Sequence, residues 1–322
     1  MIDFSYSRLN KVDDAHKALT AQPTAKVVGG GTNLIDLIRS DVMHPRELID
    51  INSIESLKEI SSLANGGLRI GALVTNSDVA YSAVVESNYP LLAEAILAGA
   101  SPQLRNMATT GGNLLQRTRC SYFYDRATPC NKREATSGCS ARKGLNRMHA
   151  ILGTSDSCIA VHPSDMCVAL AALEATVEVS GPDGKRSIPF EDFHRLPGDR
   201  PDLDSNLKRD EIITSVDLPR EGYPLHYRYL KIRDRSSYAF ALVSVAVAIE
   251  LDGSRLNSIR LALGGVAHKP WRAKTAEAKL AMKNIEDIDF SVFADEILAG
   301  AQGFGCNDFK IPLAKNAIIR AI

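Results

Sequence analysis

The sequence predicts an α+β chain in two parts, and three observations lead to this class. The N-terminal part opens with short apolar strands that alternate with glycine turns and helical segments, a pattern typical of a small parallel unit. The last hundred residues instead pair two long apolar runs across Asp252-Gly253 and follow them with two helical segments. Between the parts, residues 219–224 form a polar link with glycine and proline, which indicates a domain boundary.

The N-terminal part is expected to contain two successive units. The first is a β-turn-α-β unit, and the second adds strands and helices around a long polar segment. In chain order, the expected elements are a helix at 13–20, strands at 25–28 and 47–51 around a helix at 36–39, a strand at 68–72, helices at 76–82, 91–98 and 166–173, a strand at 175–180, a strand and turn at 186–193, and a strand at 211–218.

The C-terminal part is expected to be a separate α+β domain. Its hydrophobic patterns predict paired strands at 238–250 and 256–264 and helices at 273–282 and 290–299, with Gly300 ending the second helix. The run 238–249 is the most hydrophobic in the chain, but it is too short to span a bilayer and indicates a buried strand.

Composition excludes several classes of function. The chain has 322 residues, 45% of them hydrophobic, and 38 basic residues balance 38 acidic ones. This balance gives no reason to expect nucleic acid or an anionic membrane as a partner. No apolar run approaches the roughly 18 residues needed for membrane insertion. The N-terminus has no basic region before an apolar run, so we expect no export signal of its own.

Two glycine turns are candidate phosphate sites. Gly29-Gly30-Gly31-Thr32-Asn33 follows a strand and precedes a helix, and Thr109-Thr110-Gly111-Gly112-Asn113 is a second turn of this kind. Glycine lets a ligand approach the backbone closely, and N–H groups at a helix start can bind a phosphate. Neither turn has the GxGxxG or GK[ST] pattern, so each alone could be an ordinary tight turn. Together they predict a dinucleotide pyrophosphate.

These turns resemble those of the FAD-binding (medium) subunits of the molybdenum hydroxylases, the xanthine dehydrogenase family. The resemblance rests on 29–34 and 105–114, continues through 163–165, 210–213 and 231–235, and ends with 263–267 before Pro270. It therefore covers nearly the whole chain. It implies a two-subdomain FAD-binding domain of the PCMH type over 1–219, with subdomains 1–57 and 58–219. A C-terminal α+β domain of the CO dehydrogenase flavoprotein type would follow over 224–322.

The resemblance also implies roles for individual residues around FAD. The first turn would surround the pyrophosphate and the adenosine side, and the second would complete the phosphate site. Asp165 would bond ribityl or ribose hydroxyls, Ile213 would pack on the flavin ring, and Lys231 would place a positive charge near the flavin. Alternatively, Asp165 caps the following helix, Ile213 is strand core and Lys231 is a surface charge. The implied FAD-binding residues are Lys26, Val27, Val28, Gly29, Gly30, Gly31, Thr32, Asn33, Leu34, Thr109, Gly112, Asn113, Asp165, Ile213 and Lys231.

Four of the six cysteines lie in one polar segment between the second glycine turn and Asp165. They are Cys120, Cys130, Cys139 and Cys158, spaced C-x9-C-x8-C-x18-C. This spacing lacks the close pairs of zinc sites and matches no common ferredoxin pattern, so spacing alone is a weak metal signal. The segment has few large apolar residues and many basic ones, which would offset the negative charge of a four-thiolate cluster. Two disulfides or a structural zinc are the alternatives.

Within the resemblance, residues 114–160 look like an insertion that most flavin subunits of the family lack. Two branches carry such an insertion, and both hold a [4Fe-4S] cluster. The segments 113–120, 129–133, 137–139 and 146–150 resemble the bacterial periplasmic aldehyde oxidoreductase, a heterotrimer, more than 4-hydroxybenzoyl-CoA reductase. This similarity implies that the four cysteines are cluster ligands. Cys167 is expected in the core and Cys306 as a free thiol. His149 could bond the cluster but fits a surface role better, and His162 could touch the flavin.

The resemblance implies an electron-transfer subunit and no catalytic residue in this chain. Electrons from aldehyde oxidation at a molybdenum cofactor would pass through [2Fe-2S] clusters of a partner to FAD here and on to an external acceptor. The implied partners are a large molybdopterin-binding subunit and a small [2Fe-2S] subunit. The [4Fe-4S] cluster could carry electrons or only order its loop. Co-export with a partner would make the complex periplasmic; otherwise it is cytoplasmic. The competing hypotheses are a 4-hydroxybenzoyl-CoA reductase-like subunit and a non-catalytic assembly module held by zinc or disulfides.

Overall fold

The computed structural model describes residues 3–322, and the chain begins with a small parallel sheet. The strand order is β1-β3-β2, and both pairings are parallel. Each helix connects two strands of this sheet, as expected for parallel strands, which need crossover connections. The elements are β1 (Ser5–Arg8), α1 (Val12–Ala21), β2 (Lys26–Val28), α2 (Leu34–Arg39) and β3 (Glu47–Asp50).

The second unit is a five-stranded antiparallel sheet covered by helices. Its order is β4-β5-β8-β6-β7, so β8 returns from far along the chain to the centre of the sheet. Its strands are β4 (Ile60–Ser62), β5 (Leu68–Gly71), β6 (Thr176–Gly181), β7 (Gly184–Pro189) and β8 (Ile212–Leu218). Its helices are α3 (Asn76–Ala80), α4 (Ala83–Asn88), α5 (Pro90–Ala98), α6 (Pro102–Arg105), α7 (Thr110–Leu114), α8 (Ser121–Tyr124), α9 (Asp165–Ala172) and α10 (Phe190–Phe193).

The C-terminal unit is a four-stranded antiparallel sheet with helices. Its order is β12-β11-β10-β9, and the β10–β11 hairpin turns at Gly253. The elements are β9 (His226–Ile232), β10 (Val243–Asp252), β11 (Arg255–Gly264), β12 (Trp271–Arg272), α11 (Lys274–Ala278), α12 (Phe290–Ile297) and α13 (Lys310–Ala321). Short 3-10 turns occur at Glu55–Leu57, Ser140–Arg142 and Ile285–Asp287.

Helix α9 joins the second and third sheets. All eight of its residues are buried, as expected of a helix that is apolar on every side. It packs on α5 and on the face of β10 and β11, so one core includes residues from both sheets. The start of α9 is therefore held rigidly beside the C-terminal sheet.

Two expected elements are shorter than their hydrophobic patterns indicate. The strand expected from residue 238 begins only at Val243, because the preceding loop turns at Tyr238, whose φ is 49°. The helix expected over 273–282 ends at Ala278, because the chain turns back at Met282 and its N–H donates to the Leu256 carbonyl at 2.7 Å. At Met282 a tertiary contact overrides the local pattern, whereas at Tyr238 a local turn does so.

Candidate functional site

The two glycine turns are in direct contact. A Cβ on Gly30 would collide with the backbone carbonyl of Met107, and a Cβ on Gly29 would lie 2.9 Å from the Thr109 hydroxyl oxygen. Gly30 packs backbone against backbone, and Gly29 packs against the Thr109 and Leu73 side chains, so both positions leave little room for a Cβ. The first sheet and the second unit therefore meet at these turns.

The second turn is anchored on the second sheet. The Thr110 hydroxyl donates to the Val74 carbonyl at 3.0 Å, and the Gly111 N–H donates to the Ala72 carbonyl at 2.8 Å. Thr109 is the N-cap of α7, and its hydroxyl accepts from the Gly112 N–H at 3.3 Å. These bonds fix the start of α7 beside the segment that follows β5.

A cleft of about 370 Å³ opens along the contact between the turns, a volume within the range of small-molecule sites. Its walls are residues 25–34, the start of α7 with Arg117, and the loop 202–211. Of the residues implied by the resemblance, eleven line it: Lys26, Val27, Val28, Gly29, Gly30, Gly31, Thr32, Asn33, Leu34, Thr109 and Gly112.

The cleft carries basic side chains suited to an anionic ligand. Four basic residues, Lys26, Arg117, Lys208 and Arg209, line it against three acidic ones. Burial lowers the pKa of Lys26, and the nearby charges of Arg117 and Arg209 lower it further. A cation whose pKa is depressed by like charges gains from a bound anion, so the wall favours a phosphate-containing ligand.

Four other implied residues do not line this cleft. Asn113 accepts through Oδ1 from the Ser164 hydroxyl and from Gln116 Nε2, so its amide is directed to the start of α9. Ile213 is buried in β8 opposite Val179 in the core. Strand core is therefore the observed environment of Ile213.

Asp165 and Lys231 form a buried ion pair at the start of α9. The Lys231 Nζ donates to Asp165 Oδ2 at 2.8 Å, and the Tyr229 hydroxyl donates to Oδ1 at 2.6 Å. The side chains are 5% and 9% exposed, so the interpretation of Lys231 as a surface charge is wrong. The capping interpretation of Asp165 is also wrong, because Ser164 is the N-cap and accepts from the Cys167 N–H.

A substitution that breaks this pair should strongly destabilise the fold. Lys231→Met keeps the aliphatic stem but leaves the Asp165 carboxylate buried without its cation, so we expect a loss of about 3–5 kcal/mol in unfolding free energy. Denaturant titration measures this loss. Adding Asp165→Asn should recover part of it. The exposed pair Lys315–Asp295 provides the control, since Lys315→Met should cost less than about 1 kcal/mol. A Lys231→Met protein as stable as the wild type would contradict the expectation.

The four loop cysteines line one small cavity of about 10 Å³. All four are free thiols, so the disulfide alternative is not what the structure shows. Burial raises the pKa of Cys120 to about 12 and that of Cys158 to about 11. Without a metal these thiols stay protonated, whereas coordination would deprotonate them.

Two nitrogens lie within hydrogen-bond distance of loop sulfurs. His149 Nε2 lies 3.1 Å from Cys120 Sγ, and the Ala160 N–H donates to Cys158 Sγ at 3.4 Å. Such bonds to thiolates are typical of iron–sulfur sites. His149 is buried, and burial together with the charge of Lys310 lowers its pKa to about 4. The surface role expected for His149 is therefore wrong.

Most basic side chains of the loop already have partners. Acidic partners bind many of them, and Arg133 donates to the Tyr122 and Phe123 carbonyls. The basic side chains therefore order the loop through these bonds, in addition to contributing positive charge. The ion pairs are Arg117–Asp204, Lys132–Asp204, Arg119–Asp36, Arg126–Asp41, Arg142–Asp156 and Arg147–Asp234.

The C-terminal domain holds the far side of the loop. The buried Lys310 donates to the carbonyls of His149 and Gly265, and Asn146 Nδ2 donates to the Phe304 carbonyl at 2.8 Å. A second cavity, of about 120 Å³, lies between the loop and α9 and touches both Cys120 and Asp165. The cysteine site and the start of α9 are therefore neighbours.

One buried group of potential metal ligands was not expected from the sequence. Within residues 3–322, His162, Cys167 and His194 have ligand atoms within 4.8 Å of one another, and the two imidazole rings are 4.3 Å apart between centroids. Burial lowers both histidine pKa values, that of His194 to about 4, and raises the Cys167 pKa to about 12. The group is neutral, and Cys167 is a core thiol as expected.

Comparison with known proteins identifies the class. Residues 2–221 match the family described as FAD binding domain in molybdopterin dehydrogenase, and residues 227–317 match the CO dehydrogenase flavoprotein C-terminal domain. The chain belongs to this family of FAD-binding subunits of molybdenum hydroxylases, which are oxidoreductases. The expected α+β fold class and the FAD cofactor are thereby confirmed. No helix within the described residues is long and apolar enough to cross a membrane.

Individual proteins are similar to the chain over most of its length. The chain is 49% identical to the aldehyde oxidoreductase FAD-binding subunit PaoB of Escherichia coli, over 98% of this chain and 96% of that protein. It is 29% identical to the glyceraldehyde dehydrogenase medium chain of Sulfolobus acidocaldarius, over 88% of this chain and 83% of that protein. Carbon monoxide dehydrogenase from Hydrogenophaga pseudoflava superposes with a TM-score of 0.77 at 26% identity, covering 100% of this chain and 97% of that one.

Proposed function

We propose that this chain is the FAD- and [4Fe-4S]-containing electron-transfer subunit of a molybdenum-dependent aldehyde oxidoreductase. The observation that carries the proposal is that one chain contains both a cleft between two glycine turns, with four basic residues in its lining, and a four-cysteine cavity. The 49% identity to a subunit named for aldehyde oxidation supports the substrate class.

The FAD site follows from the cleft. Residues 26–34 with Thr109 and Gly112 would bind the diphosphate through backbone N–H groups and hydroxyls, and Lys26 would add a positive charge. Asn113, Asp165 and Lys231 at the start of α9 complete the proposed set, together with Ile213 in β8. When bound, FAD supplies redox chemistry between [2Fe-2S] clusters of a partner and an external acceptor. The chain itself positions the cofactor and excludes water, and none of its residues acts on the aldehyde.

The donor set of the loop fits an iron–sulfur cluster better than zinc. A tetrahedral zinc with bonds of about 2.3 Å holds its sulfurs within about 4 Å of one another. Among the described residues, no three of the four loop sulfurs lie within 4.8 Å of one another. The cavity has room for about one water, so binding a cluster would move the thiols outward. A loop with almost no regular structure can make this adjustment, and cluster and loop would order together.

The proposed domains follow the sequence boundaries. An FAD-binding domain over 1–219, of subdomains 1–57 and 58–219, carries the iron–sulfur insertion 114–160, and a C-terminal domain covers 224–322. The partners would be a large molybdopterin-binding subunit and a small [2Fe-2S] subunit in a heterotrimer. The compartment would be the periplasm after co-export with a partner, or else the cytoplasm.

Metal and flavin analysis of the purified protein tests the proposal. We expect one FAD and about four iron atoms per chain, with flavin absorbance bands on a broad iron–sulfur background. A colourless protein with stoichiometric zinc would contradict it and favour an assembly module. Substrate assay of the whole complex then separates aldehyde oxidation from aroyl-CoA reduction.

A further inference from the structure

One carboxylate connects the cysteine loop to the cleft. Asp204 accepts from Lys132 Nζ through Oδ1 and from Arg117 Nε at 2.7 Å through Oδ2. Lys132 lines the cysteine cavity, whereas Arg117 and Asp204 line the cleft. We call these three residues the Lys132–Asp204–Arg117 bridge. The side chains of the bridge connect the two sites directly, with no backbone group between them.

Both ends of the bridge are held tightly. Lys132 is 2% exposed, and its Nζ also donates to the Pro201 carbonyl at 2.7 Å. The Arg117 N–H donates to Asn33 Oδ1 in the first glycine turn at 2.8 Å, and its guanidinium lies 4.8 Å from the centroid of the Phe123 ring. A shift at either site would therefore move the bridge.

The charges of the bridge favour anions on both sides. Burial tends to raise the pKa of Asp204, but Lys132 and Arg117 hold it well below its usual range, so the carboxylate is ionised. His268 Nε2 lies 3.8 Å from this carboxylate, and burial with the charge of Lys132 lowers the His268 pKa to about 4. Two cations, one anion and a neutral imidazole leave one positive charge. A diphosphate and a four-thiolate cluster are the anions that would share it.

We propose that Asp204 is a positioning residue that couples the order of the cysteine loop to the affinity of the cleft for FAD. The inference rests on the proposed FAD and cluster sites. If loss of the cluster lets the loop become disordered, Lys132 is no longer presented to Asp204, and the wall 202–204 and Arg117 are free to shift away from the first glycine turn. Because coupling is reciprocal, FAD binding stabilises cluster occupancy by the same factor.

A double-mutant cycle tests the coupling. The wild type, Cys139→Ser, Asp204→Asn and the double variant are depleted of flavin as full chains and titrated with FAD by fluorescence quenching. We expect each single change to weaken FAD binding about 10-fold, which is about 1.4 kcal/mol. The double variant should also be weakened about 10-fold, instead of the 100-fold that independent sites would give. Additive effects would overturn the proposal.

A matched control separates coupling from loss of charge. Asp199 is an exposed residue of the same loop, and Asp199→Asn makes the same change in charge outside the bridge. Its effect should be additive with Cys139→Ser. Lys132→Met keeps the buried stem and removes the cation, so it repeats the cycle if Asp204→Asn folds poorly. In the Lys132→Met background, Cys139→Ser should not weaken FAD binding further, and a further loss of about 10-fold would also overturn the bridge.

A second readout follows from reciprocity. FAD should slow the loss of iron to a chelator in the wild type but not in Asp204→Asn, and a merely structural role would not remove this protection. Iron content of the wild type tests the cluster proposal independently. A wild type without iron refutes the cluster, whereas normal iron with additive FAD affinities refutes only the role of Asp204.

Discussion

Gly30→Ala is expected to weaken FAD binding by about 100-fold, or about 2.8 kcal/mol. Its Cβ would collide with the Met107 carbonyl and would lie 3.2 Å from the Ala108 Cα. These are backbone atoms, so no side-chain rotation relieves the overlap and the two turns must separate. The sequence suggested a different reason, that glycine lets the ligand approach. The structure shows that Gly30 is first needed for the contact between the turns.

The control for this variant is Gly184→Ala. Gly184 lies in the β6–β7 turn at φ 110°, and a Cβ there meets nothing within 4 Å. This change costs backbone strain of about 1 kcal/mol at a residue that does not line the cleft, so FAD affinity should be unchanged. Isothermal titration of flavin-depleted protein measures both variants, and circular dichroism checks that they are folded. A folded Gly30→Ala protein with wild-type affinity would refute the assignment of the cleft.

Cys139→Ser is expected to lose most of the bound iron. A serine hydroxyl is a far weaker ligand than a thiolate, and the other three cysteines sit in a loop that has little regular structure to hold them in place. Because cluster binding and loop folding are one process, the thermal unfolding midpoint should fall as well. Iron and sulfide analysis of the purified protein measures the first effect, and calorimetry measures the second.

Cys306→Ser is the matched control for the iron measurement. Cys306 is a free thiol exposed to solvent and lies outside the cysteine loop, so iron content should stay at the wild-type level. Iron retained in Cys139→Ser at that level would show that Cys139 is not a ligand. Equal loss in both variants would indicate nonspecific damage.

Local patterns predicted much of the fold. The parallel N-terminal unit, the C-terminal hairpin and the helices over 13–20 and 166–173 were recognisable from strand and helix periodicity and from glycine turns. These signals depend on residues a few positions apart. The expectations failed at Tyr238, where the backbone turns at positive φ, and at Met282, where the chain turns back to bond Leu256.

The burial of charges was not predictable in the same way. The sequence left Lys231 as a charge near the flavin or at the surface, because its observed partner Asp165 lies 66 residues away. Asp204 lies in a Pro-, Gly- and Asp-rich stretch typical of a surface loop, and Lys132 binds it from 72 residues away. His149 reads as a polar loop residue until Lys310 and the C-terminal domain cover it.

The chain's own residue types and order already specify a two-turn glycine site, a family and a set of four clustered thiols. Glycine gives such a signal because its backbone geometry is a property of the residue itself. Cysteine does so because its thiol is a metal ligand in any context. Folding alone decides which groups become neighbours, including the contact of Gly30 with Met107 and the joining of both sites by Asp204. Those contacts depend on how whole elements pack, and packing sums interactions over residues that are far apart in sequence.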